Sequence, residues 1–462
     1  MSKEYTKKAI LYSQNICLGV LIFGYNLGVL NPSYKNVSSA LNWGKNETIL
    51  LSIFQATLPL GCVVGSMITN SVANAYGRRS CQFLLASLSI LGSLLSIIPY
   101  NGTFGAGRLI LGIASGIGLS LAPFFIMEIS PTKLKAKLGS LIHLNLAFGL
   151  GLSYCLGVPL PVGSTSSILK YWWQFMYLIP GLIGIYIILI FKFYYIHDTP
   201  KFYALKGQEE KARISIEFIY GSCTTSLLIN PTSGQSETYT APKFTNLLCD
   251  YKYKLMLRIA VILPMLEQFC GINAATFYST KILYDISGDI YMSRILTAAI
   301  GISKFIATFL ILILVKKFGR KTLLTFSLLF MGILCAIFGV FTIIPNFSVY
   351  ASTVILGLHV VVYTCSYAAI LWVYIGESVE QKLVAVGVAS KFAFLCLVTF
   401  LFPICVDLVG IHVVFYFFAG CSVLGFVWGR YDMIETKNLS RIEIYKKFTR
   451  EKDKTMVSPD SY

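Results

Sequence analysis

Residues 76–80 read YGRRS and residues 318–322 read FGRKT, the same short basic turn written twice about half a chain apart. Each turn is flanked on both sides by apolar runs long enough to cross a bilayer as helices, which takes roughly 20 residues for about 30 Å of hydrocarbon. A short basic hairpin between two such runs belongs to the membrane face that retains Lys and Arg. Glu128 ends the fourth apolar run as Glu377 ends the tenth. The chain therefore reads as two repeats of six spans, an all-α membrane protein whose halves are related by an axis along the membrane normal.

The rest of the sequence agrees with that reading. With 462 residues, 56% of them hydrophobic and 13% charged, and a mean hydropathy of +0.70, the chain is too apolar to clothe a soluble surface. Candidate spans fall near 11–32, 49–72, 81–99, 104–127, 139–160 and 172–195, and again near 256–283, 291–315, 322–344, 349–376, 384–407 and 412–431. Twelve spans place both termini on one face. That face collects Lys3, Lys7, Lys8, Arg78, Arg79, Lys133, Lys135, Lys137, Lys316, Lys317, Arg320, Lys321 and Lys382, while the opposite loops hold only Lys35, Lys45, Lys170 and Lys281. The asymmetry makes the terminal face cytoplasmic. It also explains the net charge of +17 as a basic face toward anionic lipid headgroups. Spread over short loops, this charge forms no nucleic-acid patch. The first span has no small-residue cleavage site after it and reads as a retained helix.

Four segments follow: a bundle over 1–195, a cytoplasmic linker over 196–255, a second bundle over 256–431 and a tail over 432–462. Within the linker, KFYALKGQEEKARISIEFIY (201–220) has helical apolar spacing, whereas GSCTTSLLINPTSGQSETYTAP (221–242) has the composition of a flexible connection. The twelve cysteines are mostly single and inside spans, and the four histidines (143, 197, 359, 412) show no metal spacing. No G-x-x-x-x-G-K-[ST] loop is present to hold a nucleotide, and no nucleophile and base stand at catalytic spacing. An enzyme and a bound cofactor are not expected, nor is an obligatory protein partner; transport, channel or receptor roles remain.

One span is out of character. LPMLEQFCGINAATFYST (263–280) carries Glu267, Gln268 and Asn273 inside an apolar run. A charge at that depth needs a partner, water or a ligand. On an ideal helix Gln268 and Asn273 lie about 500° apart, so they converge only if the span breaks. Gly271 stands where a break would bring them together.

FGYNLGVLN (23–31), GRR (77–79), GRLILG (107–112), EISPTKLKAKLG (128–139), DTPKF (198–202), EQFCGINAATFYST (267–280), FGRKT (318–322) and ETK (435–437) resemble the sugar porters of the major facilitator superfamily, the branch containing the facilitative hexose transporters. The resemblance implies two pseudo-symmetric bundles with a sugar site between them. It implies that Glu267, Gln268, Asn273 and Tyr278 occupy the sugar-binding positions of the seventh span, with Trp372 as an aromatic platform. It further implies that Arg78, Arg79, Glu128, Lys135, Arg320 and Glu377, together with Lys321 and Lys382, form ion pairs that latch an inner gate. In the first of these motifs Asn74 stands where the family usually has an acid.

The site departs from the family in several places. His143 replaces a fifth-span Gln, Glu267 a seventh-span Gln, and Lys304 an eighth-span Asn. Lys391 falls at a usually neutral position of span eleven, and SYAAILW (366–372) lacks the Gly and Pro that bend span ten. Either Glu267 and Lys304 neutralise each other beside an uncharged polyol, or the surplus positive charge holds an anion. The expectation is hexose transport with Glu267 and Lys304 paired; a carrier of a small organic anion is the alternative, and a sugar sensor is disfavoured by the short tail. Proton-driven sugar porters carry an Asp directly after FGY, and Asn26 here cannot titrate, so uniport is expected over proton symport. Asn46, in the sequon Asn46-Glu47-Thr48 of the first outer loop, is the expected glycosylation site, ahead of Asn36 in NVS, and the plasma membrane the expected location.

Overall fold

The computed structural model describes residues 3–130, 134–162, 169–220, 253–344, 348–439, 443–444 and 447–448, and every extended regular element among them is a helix. The first span is α1 (Lys3–Ile16) followed by α2 (Leu18–Gly28), with a 41° bend between them, and it continues into α3 (Leu30–Ala40). Five spans follow: α4 (Glu47–Tyr76), α5 (Arg78–Ser96), α6 (Asn101–Ile129), α7 (Lys135–Gly157) and α8 (Trp172–Phe193). Beyond α8 lie two short helices, α9 (Pro200–Leu205), whose first turn is capped by the Thr199 hydroxyl, and α10 (Glu209–Tyr220). The second of these buries Ala212 and Ile216 on one face, as its spacing predicts. The Ser/Thr/Gly/Pro-rich stretch 221–242 lies outside the described residues.

The second bundle opens on a span in three pieces: α11 (Lys254–Phe269), α12 (Ile272–Phe277) and α13 (Ser279–Ser287). Next come α14 (Ile290–Lys317), α15 (Arg320–Phe341) and α16 (Val349–Val362). A π-helical turn over Tyr363–Ala368 joins α16 to α17 (Ala369–Ser378), and α18 (Gln381–Val409) and α19 (Ile411–Asp432) complete the set. Among the described residues ten helices are long and apolar enough to cross a membrane alone, eleven with the bent first pair. The twelfth expected span is the broken one, whose pieces are each too short. Most helices overrun the apolar stretch that announced them, because the helix continues past the hydrocarbon until a turn residue ends it.

Small residues let the helices approach closely where no hydrophobic drive separates protein from lipid. Gly112 of α6 sits so near α4 that a Cβ there would lie 2.4 Å from the Leu58 carbonyl. The bundles meet through α4 against α18 and α7 against α14, pairs that the internal repeat makes equivalent.

Candidate functional site

The centre of the site is the broken span. Gly271 adopts φ 86°, a left-handed conformation that a side chain disfavours, and the helix restarts at Ile272. The break turns Asn273 back toward Gln268, and its Nδ2 donates to Gln268 Oε1 at 2.9 Å. Backbone groups released by a break in apolar surroundings must find partners. The Cys270 carbonyl finds two, accepting from His359 Nε2 at 2.9 Å and from Cys335 Sγ at 3.5 Å. His359 thus serves the backbone, a role its lone position in an apolar helix did not signal.

A second interruption, at Tyr278, is satisfied from the opposite bundle. Asn31 Oδ1 accepts from Thr280 N at 3.0 Å, while its Nδ2 donates to the Thr276 carbonyl and to Ser279 Oγ. Gln55 Nε2 donates to the Phe277 carbonyl at 3.1 Å, and the Tyr154 hydroxyl donates to that of Thr276. Arg108, fully buried, supports Gln55 from behind and also donates to the Asn26 and Phe54 carbonyls. Nearer the membrane face opposite the termini, Arg294 of α14 donates to the Pro32 and Leu160 carbonyls at 3.0 and 2.8 Å and to Asn36 Oδ1. Apart from those of Arg108, these bonds run from one bundle to the other and hold the two together on that side.

Four ionisable side chains gather beside Gln268. Glu267 Oε1 accepts from Lys391 Nζ at 3.0 Å and from the Tyr363 hydroxyl at 2.6 Å, while Oε2 is buried without a hydrogen-bond partner. Lys391 Nζ also lies 5.3 Å from the centre of the Trp372 ring. Lys304 Nζ stands over the Tyr363 ring at 6.0 Å, and His143 is within electrostatic reach of Glu267 and both lysines. The π-turn places Tyr363 here, supplying the irregularity that span ten lacks in its Gly and Pro content. Tyr278 is buried against Phe402, with its hydroxyl on the Thr399 carbonyl.

On the face carrying the termini, each bundle closes a cassette of its own. Asp198 accepts from the Arg78 and Arg79 amides at the start of α5, both at 3.1 Å, a favourable place for a carboxylate. Gly77 makes room for it, since a Cβ there would meet Asp198 Oδ2 at 2.1 Å. Arg78 then forms a two-pronged pair with Glu128 at 2.9 and 2.7 Å, and Glu128 also accepts from the Thr199 hydroxyl. The second bundle repeats the plan: Glu435 accepts from the Arg320 amide at 2.8 Å, Arg320 meets Glu377 at 3.3 Å, and Thr436 donates to Glu377. The repeated DT and ET pairs at 198–199 and 435–436 were the available signal for these four residues.

A family model described as sugar (and other) transporter matches residues 13–448. The chain belongs to the sugar transporter family. Among similar proteins, this sugar transporter is 27% identical over 459 residues to a probable metabolite transport protein, CsbC, of Bacillus subtilis, covering 96% of this chain and 95% of that one. It is 26% identical to hexose transporter 1 of Plasmodium vivax, covering 94% and 92%. To the facilitated glucose transporter member 3 of solute carrier family 2 from Rattus norvegicus it is 27% identical, covering 93% and 91%. The inward open conformation of the xylose transporter XylE from E. coli superposes with a TM-score of 0.80 at 21% identity, over 94% of this chain and 99% of that one, which shows the shared fold. The chain is a transporter and not an enzyme.

Two expectations about this sugar transporter are corrected. The ion pair of Glu267 is made with Lys391 and not with Lys304, because α18 brings Lys391 to the carboxylate first. The Arg79 side chain donates to the Phe191 carbonyl and, among the described residues, makes no ion pair with a gate carboxylate. The pairs Arg78 with Glu128 and Arg320 with Glu377 each join helices inside one bundle and are intact while the opposite face is closed. Lys321 donates to the Arg430 carbonyl, and the side chains of Lys135 and Lys382 lie outside the described residues.

Proposed function

We propose that this sugar transporter carries hexose-type monosaccharides by alternating access and facilitated diffusion, with both termini in the cytoplasm, most simply at the plasma membrane. The observation that carries the reading is the convergence of Gln268 and Asn273 across the Gly271 break. A side-chain amide offers donors and an acceptor together, which suits vicinal hydroxyls. The names of the Plasmodium and rat relatives point the same way. Trp372 supplies an aromatic wall for one sugar face, and the bundle at 1–195 and that at 256–431 rock about this site while the segments 196–255 and 432–462 stay in the cytoplasm.

Uniport is supported by Asn26, whose Nδ2 donates to Ser115 Oγ at 3.3 Å, so that among the described residues Arg108 beside it bonds to carbonyls and an amide and to no carboxylate that could take up or release a proton. The test is counterflow of labelled glucose into proteoliposomes made with the full chain. Glucose should equilibrate without accumulating, and a protonophore should leave the rate unchanged. Absence of sugar counterflow would overturn the hexose reading, while accumulation that collapses with the protonophore would overturn uniport alone.

A further inference from the structure

Resting on that reading, we propose that Lys304 is a carboxylate subsite, so that the preferred cargo is a hexose derivative bearing one carboxylate, a hexuronate or a hexonate. Glu267 is the acid of the charged cluster, and its bonded oxygen is already committed to Lys391 and Tyr363. Lys304 is buried to 6% exposure, and among the described residues it makes no ion pair, its ammonium standing over the ring of Tyr363. Two lysines against one glutamate leave one positive charge unanswered. An ammonium held in apolar surroundings favours a ligand that neutralises it.

The surplus is one charge, which fits a carboxylate; a doubly charged phosphate would ask for a second free cation, and Lys391 is taken. Lysine is a compact point charge suited to this task, without the planar fork by which arginine grips two oxygens. The cargo is a sugar acid and not a bare organic acid because Gln268 and Asn273, a few residues from the same cluster, remain for hydroxyl groups. The ring then lies between the amides and Trp372, with its carboxylate turned to α14.

Proteoliposomes of the full chain test this with labelled glucose and unlabelled competitors. Glucuronate and gluconate should inhibit counterflow at concentrations about tenfold below those required of glucose, as expected of a charge-assisted contact. Labelled glucuronate uptake should respond to a potassium diffusion potential, since the carrier then moves one net negative charge, whereas glucose uptake should not. In Lys304→Asn the preference for glucuronate over glucose should fall about tenfold or more, and Lys304→Arg should retain most of it. If glucose moves while glucuronate neither competes nor enters, the subsite is wrong and the sugar carrier stands. If neither moves, both fall. A preference unchanged in Lys304→Asn would also overturn the proposal.

Discussion

Glu267 and Lys391 define what a single side chain is worth in this cavity. Lys391 is only partly buried and stacks on Trp372, but Glu267 is 3% exposed and depends on it. Removing one partner of a buried pair leaves an uncompensated charge at roughly 3–5 kcal/mol, whereas replacing both can be nearly neutral. Lys391→Gln should therefore lower the unfolding temperature of the purified protein markedly, and Glu267→Gln with Lys391→Gln should regain most of it; equal loss in single and double variants would mean that the pair does not couple. The amides are a different case. Gln268→Ala or Asn273→Ala strands its partner and any sugar hydroxyl, at a cost of about 1–3 kcal/mol, so the substrate concentration for half-maximal uptake should rise about 5- to 150-fold. An unaltered value would place the sugar elsewhere.

Helix ends and breaks carry the next level of design. The seventh span is polar where it is broken, and its second break is completed by Asn31, Gln55 and Tyr154 from the other bundle. Gly271→Ala puts a side chain at φ 86°, which costs about 1–2 kcal/mol, with its Cβ also 3.1 Å from Cys335 Sγ. Lower thermal stability together with slower transport is expected, and Gly271→Asn should be milder because Asn tolerates that conformation. A variant as stable and as active as the parent would show that the span runs straight through this point. The two cassettes should respond unequally. Arg78 and Glu128 are paired through two bonds with side chains 8% and 7% exposed, against one longer bond with 22% and 29% for Arg320 and Glu377. Screening by water makes the second pair weaker. Glu128→Gln should thus destabilise the protein more than Glu377→Gln in a thermal melt, and the reverse order would assign the bracing to the second bundle.

Across the whole molecule, the seal opposite the termini is a set of hydrogen bonds between bundles, with Arg294 reaching the ends of α2–α3 and α7. Opening that face must break them. Arg294→Ala should shift the resting carrier outward, raising the rate at which an impermeant thiol reagent modifies Thr276→Cys from that side; an unchanged rate would mean that Arg294 is structural only. Topology makes a linked forecast. Asn46 is exposed on the loop before α4, whereas the Asn36 side chain is engaged by Arg294 and the Pro161 carbonyl. In a secretory host Asn46→Gln should abolish a glycosidase-sensitive shift in gel mobility, and Asn36→Gln should not.

The helices follow from apolar length, which is a local property of the chain and is written residue by residue. So too is the break at Gly271, because a glycine between two polar residues in an apolar run has few other uses. The partner of Glu267 is not local. The sequence points to Lys304, and only the packing of α18 and α14 around α11 brings Lys391 to the carboxylate and leaves Lys304 over Tyr363. His359 on the Cys270 carbonyl, the π-turn that stands in for Gly and Pro, and Arg294 across the seal have the same origin. Each satisfies a polar group that exists only once helices distant in sequence have come together, and no periodicity along one helix records which neighbour will supply the bond.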